Sequence, residues 1–370
     1  MVNINSAPNE KKSIRLHLTN IEGLGAVRLI QSLLPNLISQ NEFIVEKLYV
    51  PENKNVLDGC VFDDRTKIIA YKRYLPRPVS RFLECTIFGS VFNGCTPLLV
   101  LGDLPIRCKG KQVVFLQNTL LLNQPTYGNK SSFIKYLILR FIFKKNMKYV
   151  NSFIVQTSAM KDQLISSYPS LKQPVHIISQ PVPAWLTESN VRLKKCAFDH
   201  NKGLKLFYPA AFYPHKNHKL LADIYNSEVW PVDVLTLTIM DYSNPKRKAK
   251  WINCKGTLTP EMVINEYRFA DALLFLSHTE SYGFPLIESM WAGLPIICPD
   301  LVYARNLCGD QAIYFNPLSV ESLYSAVNEL NKRLNSGWRP DWTDQLTDTP
   351  SDWAFVARMM AEVTLLNRPL

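Results

Sequence analysis

The stretch from Asp271 to Pro295 most constrains what this chain can fold into. Its first part, Asp271-Ala-Leu-Leu-Phe-Leu-Ser277, is a short run with both faces apolar, the pattern of a strand buried inside a parallel sheet. Pro285 suits the first position of a helix, and Gly293 followed by Pro295 marks its end. A strand therefore feeds a loop, and the loop feeds a helix N-terminus. That N-terminus offers unpaired backbone N–H groups and a partial positive charge, a ready place for a phosphate. Gly283 lets the backbone come close to such a ligand. Glu280 on the loop and Glu288 on the first turn of the helix, eight residues apart, bracket the place.

Two carboxylates would repel a phosphate, but they accept hydrogen bonds from hydroxyls. The pair makes sense if the ligand carries a diphosphate in its middle and polyols at both ends, as a nucleotide sugar does. In the form Glu-Ser-Tyr-Gly-Phe-Pro-Leu-Ile-Glu-Ser-Met, the stretch from Glu280 to Met290 resembles the donor-site motif of the family 4 retaining glycosyltransferases. That resemblance implies the glycosyltransferase B fold: two Rossmann-like, doubly wound domains facing a central cleft, with a C-terminal helix that crosses back to the first. It also implies that Glu280 holds hydroxyls of the donor sugar and Glu288 the ribose, with Ser281, Tyr282, Gly283 and Phe284 lining the same donor site.

Length and composition agree with two packed domains: 370 residues, 47% of them hydrophobic. Cys60, Cys85, Cys95, Cys108, Cys196, Cys254, Cys298 and Cys308 are scattered, with no Cys-x-x-Cys pair and no nearby His, which favours a reducing compartment and argues against zinc. No signal peptide and no run of about 18 apolar residues is legible, so a cytoplasmic protein is expected, peripheral at the inner face of the membrane at most. Charge is uneven. Residues 1–200 carry 26 Lys and Arg against 13 Asp and Glu; residues 201–370 carry 16 against 18. A basic first half suits an anionic membrane, a nucleic acid or a pyrophosphate-bearing acceptor.

In the first half, Ile14 to Thr19 alternates like a strand, Gly23-Leu24-Gly25 makes a turn, and a helix over 27–34 is expected to stop at Pro35. This opens a doubly wound domain. The third glycine of a dinucleotide fingerprint is missing, since position 28 is Arg. The Gly23–Gly25 turn is either a plain tight turn or, by the resemblance, a cleft loop that helps hold the acceptor or the donor phosphate. Strands are expected over 43–50, 67–72, 96–101, 112–116 and 152–157. Asp103, Gln117 and Asn118 follow two of them, at the strand ends where open sheets bind ligands. Family members often carry a His at Gln117-Asn118; its absence removes any protonatable group there. The helix over 132–149 holds Phe133, Ile134, Leu137, Ile138, Phe141 and Ile142, with Arg140, Lys144, Lys145 and Lys148 crowding its end. It reads as a core helix with a basic C-terminus matched to its dipole, or as a helix resting on an anionic membrane surface. The two are not exclusive.

Pro181 and Pro183 stiffen a connector, which places a boundary near 183. The domains expected are 1–183 for the acceptor, 184–350 for the nucleotide sugar, and a helix at 351–370 packing back on the first. In the second domain, the strand at 204–208 leads through a turn to Lys216 and Asn217, and a helix is expected from His218. By the resemblance this turn carries an Arg and, five residues on, a Lys, both on the donor diphosphate. Lys216 matches the Lys, but position 211 is Ala. His215, Lys219 or a first-domain residue would have to compensate. Lys255-Gly256 follows a strand whose family equivalent flanks the nucleobase.

The expectation is a retaining hexosyltransferase that moves a sugar from a nucleoside diphosphate to a glycan or lipid-linked acceptor in cell-surface polysaccharide synthesis, with Glu280 and Lys216 as catalytic residues. Asp-x-Asp is absent from the chain, so no metal and no cofactor are expected. Lys216 and the helix N-terminus after Gly283 would neutralise the leaving group instead. Two alternatives stand beside it: a nucleotide-sugar epimerase of the same fold, and a non-enzymatic protein that binds anionic surfaces. Nucleic acid is not an expected partner, because the basic residues are not interleaved with aromatics in any recognised module.

Overall fold

The structure is a computed structural model that describes residues 11–21, 23–52, 55–62, 64–122, 130–192, 198–199, 201–225 and 230–366. Cys196 and much of the polar segment expected over 187–201 lie outside the described residues. The chain forms two compact units, residues 1–180 with 351–370, and residues 181–350.

The first unit contains β1 (Lys12–His17), α1 (Leu24–Ile38), β2 (Phe43–Pro51), β3 (Lys67–Tyr71), α2 (Arg77–Cys85), β4 (Leu98–Val100), β5 (Gln112–Phe115), α3 (Lys130–Asn146), β6 (Ser152–Val155), α4 (Ser158–Ser167) and β7 (Val175–Ile177). Its seven strands are all parallel, in the order β3-β2-β1-β4-β5-β6-β7. Leu98, Leu99, Val100, Val113, Val114, Phe115, Phe153 and Ile154 are fully buried, as strands covered by helices on both faces must be.

The second unit contains α5 (Ala184–Thr187), β8 (Leu204–Tyr208), β9 (Val232–Leu237), β10 (Ile252–Cys254), α6 (Pro260–Phe269), β11 (Ala272–Leu274), α7 (Phe284–Trp291), β12 (Ile296–Pro299), α8 (Val302–Cys308), β13 (Ile313–Phe315), α9 (Val320–Asn335) and α10 (Thr343–Thr347). Its six strands run β10-β9-β8-β11-β12-β13, again parallel throughout. The last helix, α11 (Trp353–Leu365), belongs to the first unit, where it packs on α1 and the ends of β1, β4 and β5.

In each sheet the order reverses after its first strand, between β1 and β4 and between β8 and β11. Loops leaving such a pair diverge to opposite faces and open a crevice at the strands' carboxyl ends, where α/β sheets bind ligands.

Three local expectations are corrected. Pro35 does not end α1, which runs on to Ile38. Its ring removes one backbone hydrogen bond, but Leu33, Leu34 and Leu37 are buried on either side of it, and that burial carries the helix through. No α-helix starts at His218; residues 214–216 and 218–223 form two 3-10 turns with Asn217 between them in the left-handed region at φ 55°. Helix α7 begins at Phe284, so Pro285 is its second residue and Glu288 stands at the start of its second turn. The described cysteines are all free.

Candidate functional site

The strands β8 and β11 are neighbours, with Phe207 opposite Leu273, and the loops that follow them lie at the switch point of the second sheet. The β8 loop climbs through Pro209 to the left-handed Asn217, whose side chain donates to the Pro317 carbonyl at 3.0 Å. The β11 loop is tied to it where His278 N–H donates to the His215 carbonyl at 2.8 Å. The two loops bring together Lys216 and Glu280, 64 residues apart in sequence, as a partly buried ion pair.

A floor of buried tyrosines fixes that pair from below. Tyr208, the last residue of β8, is fully buried; its hydroxyl donates to the Lys216 carbonyl at 2.8 Å and lies 3.0 Å from Ser277 Oγ. Tyr303 of α8 donates to the Ser277 carbonyl. Lys216 also stands over the Phe275 ring, 5.9 Å from its centroid. Burial pushes the Tyr208 phenol well above its ordinary range against the opposing Ser277 hydrogen bond, so it remains a donor.

His215 and His218 flank Lys216. Burial first, then the Lys216 charge, lowers each imidazole to about 4. His215 is therefore neutral near pH 7 and adds no cation beside Lys216 and Ala211. Lys219 is exposed on the same turn.

Gly283 caps helix α7 at a φ of 90°, a conformation that strains any residue with a side chain, and a Cβ there would crowd Leu286 Cδ1 at 3.1 Å. Tyr282 is buried and meets Phe284 edge-on at 5.3 Å; Ser281 is half-buried beside them. On the second turn Glu288, 9% exposed, accepts a hydrogen bond of 2.7 Å from Tyr267 of α6. Tyr267 is wholly buried, and burial followed by the Glu288 charge holds its phenol far above the ordinary value. The tyrosine thus fixes one carboxylate oxygen of Glu288.

Lys255 and Gly256 are placed differently. They follow β10, the edge strand, with β9 between it and β8. Lys255 pairs with Glu266 of α6, and Gly256 turns at φ 67° beside Met240. In the first unit, Gly23 caps α1 at φ 86°, with Leu24 and Gly25 opening the helix at the end of β1. Asp103, itself at φ 68°, accepts from the Gln117 and Asn118 backbone N–H groups at 2.6 and 3.1 Å. The Gln117 side chain donates to the Leu101 carbonyl, and that of Asn118 caps the next turn. These three residues come together and brace the ends of β4 and β5 with hydrogen bonds made within the unit.

Sequence reasoning missed the tyrosines and one further group. Glu84 of α2 is fully buried at the end of β1, accepting from Arg73 at 2.8 Å, from Thr19, and lying 2.9 Å from His17 Nε2. Burial works to raise its carboxyl, but the His17, Thr19 and Arg73 contacts outweigh that and hold it below the usual range. No motif marks such partners; Tyr208 was detectable only as the polar-tipped last residue before the turn. A cavity of about 740 Å³ lies at the C-terminal end of α7, between Trp291, Arg192, Arg339 and Trp342, and it is lined by neither Lys216, Glu280 nor Glu288. Its two arginines already rest over Trp291 and Phe198.

No protein-family model matches the chain. It is 26% identical over 214 residues to the O-antigen chain mannosyltransferase RfbU of Salmonella typhimurium, a match that covers 54% of this chain and 57% of that relative. The chain thus spans little more than half the length of that relative. Among solved structures, it superposes on sucrose-phosphate synthase of Thermosynechococcus elongatus with a TM-score of 0.62 at 12% identity, over 95% of this chain and 98% of that one. It superposes on WaaG, a glycosyltransferase involved in lipopolysaccharide biosynthesis, with a TM-score of 0.58 at 14% identity, over 96% of each. These likenesses and the two parallel sheets show one fold, that of the glycosyltransferase B class.

Proposed function

From a chain of the glycosyltransferase B fold that is similar in sequence to an O-antigen mannosyltransferase, we infer a retaining, metal-independent glycosyltransferase. It moves a sugar from a nucleoside diphosphate to a glycan or lipid-linked acceptor in the assembly of a surface polysaccharide. The observation that carries this is the meeting of Lys216 and Glu280 at the switch point, beside the N-terminus of α7.

Without donor the two groups neutralise each other. A diphosphate entering at Gly283 offers Lys216 a second anion and brings a phosphate oxygen to the positive end of the α7 dipole. Glu280 is then released to accept from hydroxyls of the sugar. As the bond between the anomeric carbon and the diphosphate oxygen breaks, negative charge grows on the leaving group, where Lys216 and the helix end already stand. Positive charge grows at the anomeric carbon, on the side of Glu280. Such groups need no reorganisation during the reaction, which is why preorganised charges lower a barrier. Glu288, held by Tyr267, accepts from the ribose. An acceptor hydroxyl attacking from the face that the diphosphate leaves, and giving its proton to the departing phosphate oxygen, keeps the anomeric configuration.

The test begins with thermal shift against a panel of nucleoside diphosphate sugars, mannose donors first because of the relative's name. A ligand at 100 times its dissociation constant adds about 2.7 kcal/mol, several degrees for a unit of this size. The active donor is then run with and without chelator, and the product's anomeric configuration is read by proton NMR. Retained configuration and unchanged turnover under chelation are expected. Inverted product, or activity lost to chelator and restored by a divalent cation, overturns the corresponding half of the reading.

A further inference from the structure

Helix α3 is apolar on two sides. One face, Leu139, Ile142 and Phe143, is buried in the core of the first unit with Met147 and Phe153. Around the helix from it, Phe133, Ile134, Leu137, Ile138 and Phe141 form a second stripe, at the i, i+1, i+4, i+5, i+8 spacing of a single helical face. They are between 47% and 59% exposed. A helix on the surface of a water-soluble domain turns its polar side outward; this one turns out its second apolar side. Single exposed apolar residues are ordinary, but a five-residue stripe is a surface made to be covered.

The stripe does not end with the helix. The Asn146 side chain donates to the Cys85 carbonyl at 2.8 Å, which sets the C-terminal ends of α2 and α3 side by side. Just beyond Cys85, a 3-10 turn at 88–92 exposes Phe88 and Val91, and Ile87 before it is exposed as well. The charges beside these groups are of one sign. Lys144, Lys145 and Lys148 are exposed where the stripe ends, and Lys145 lies over the Phe141 ring at 5.6 Å. Arg107 is exposed too, its backbone N–H bonded to the Cys85 carbonyl. No Asp or Glu occurs between residues 104 and 161, and Glu84 of α2 is buried.

We propose that the outer stripe of α3, continued by Ile87, Phe88 and Val91, rests on the surface of a bilayer that contains anionic lipid. The apolar side chains enter the boundary between headgroups and acyl chains, and the lysines meet the headgroup phosphates. Charge complementarity selects this occupant: long, flexible lysines with no acidic neighbour suit a fluid layer of anions, whereas a folded protein partner would be met by paired charges and directed hydrogen bonds. Among the described residues no helix is long and apolar enough to cross a membrane, so the contact is one of lying on the surface. The inference goes beyond the transferase reading and does not depend on the nucleotide site.

Vesicle co-sedimentation tests it, with phosphatidylcholine alone and with phosphatidylcholine containing phosphatidylglycerol. The protein should pellet with the anionic vesicles and be released by salt. The double substitution Lys144→Ala with Lys145→Ala should weaken binding about 30-fold. Leu137→Ser with Phe141→Ser, both at exposed positions, should abolish it while leaving the melting temperature and the donor-induced thermal shift as they are. A wild-type protein that stays in the supernatant with anionic vesicles overturns the proposal, as does a Leu137→Ser, Phe141→Ser protein that binds like wild type. So does a solution dimer that this same substitution splits, which would assign the stripe to a second copy. Vesicle binding without any donor shift would count against the nucleotide site alone.

Discussion

Replacing Tyr267 by Phe removes a single oxygen and leaves the ring, edge-on to Phe207 at 5.2 Å, in place. No cavity of any size is created, so the change isolates the hydrogen bond to Glu288 Oε2. A hydrogen bond to a charged group contributes about 1.5–3 kcal/mol, and Glu288 is almost fully buried when it loses this one. Glu288 retains other interactions, which puts the expected loss at the lower end, about 1.5–2 kcal/mol. With a urea m-value of about 2 kcal/mol/M, the unfolding midpoint of the second unit should fall by about 1 M. Calorimetric titration with donor or nucleoside diphosphate should show a second effect. A Glu288 side chain no longer fixed in advance must be ordered on binding, which costs about 0.5–1.5 kcal/mol and raises the dissociation constant roughly 2- to 10-fold. A Tyr267→Phe protein with the wild-type midpoint and affinity would show that Tyr267 does not hold Glu288 for the ligand.

Lys216→Ala should cut turnover by roughly 10²-fold or more, the loss expected for one preorganised charge partner; a near-normal rate in a steady-state assay would mean that another cation carries the diphosphate. Stability should fall as the pH drops from about 6.5 towards 4. His215 and His218 have their folded values lowered to about 4, so the unfolded chain binds more protons throughout that window; their contribution is complete above the unfolded value and is lost as pH falls through the folded one. A urea midpoint that stays level or rises on acidification across this range would contradict the burial of both rings.

The parts of the site that were legible in the chain are those in which local chemistry and fold agree. The buried run before Ser277, Gly283 and Pro285 dictate a strand, a left-handed turn and a helix start without help from elsewhere. Lys216 was legible by the same logic, as the residue that ends the turn after another buried strand. Two strand-to-turn junctions place Lys216 and Glu280 at the same end of one sheet; that their strands are direct neighbours follows from the pairing of β8 with β11, which no feature of either stretch names. Tyr267 escaped notice for a related reason: in sequence it is one aromatic in an amphipathic helix, and only the packing of α6 against the sheet turns its hydroxyl towards Glu288. Pro35 misled because its local penalty was weighed without the three leucines whose burial exceeds it. The 132–149 helix could be read two ways because its sequence is apolar on two sides, and only the structure tells which side the core takes.

The helix α11 has an implication for how the protein is made. It lies against α1 and the central strands β1, β4 and β5 through Val356, Met360, Ala361 and Val363, all buried. Domains commonly fold in the order in which they leave the ribosome. Here residues 181–350 can close into their own sheet first, while the unit that holds the N-terminal strands waits for residues 353–365 to emerge before its last apolar face is covered.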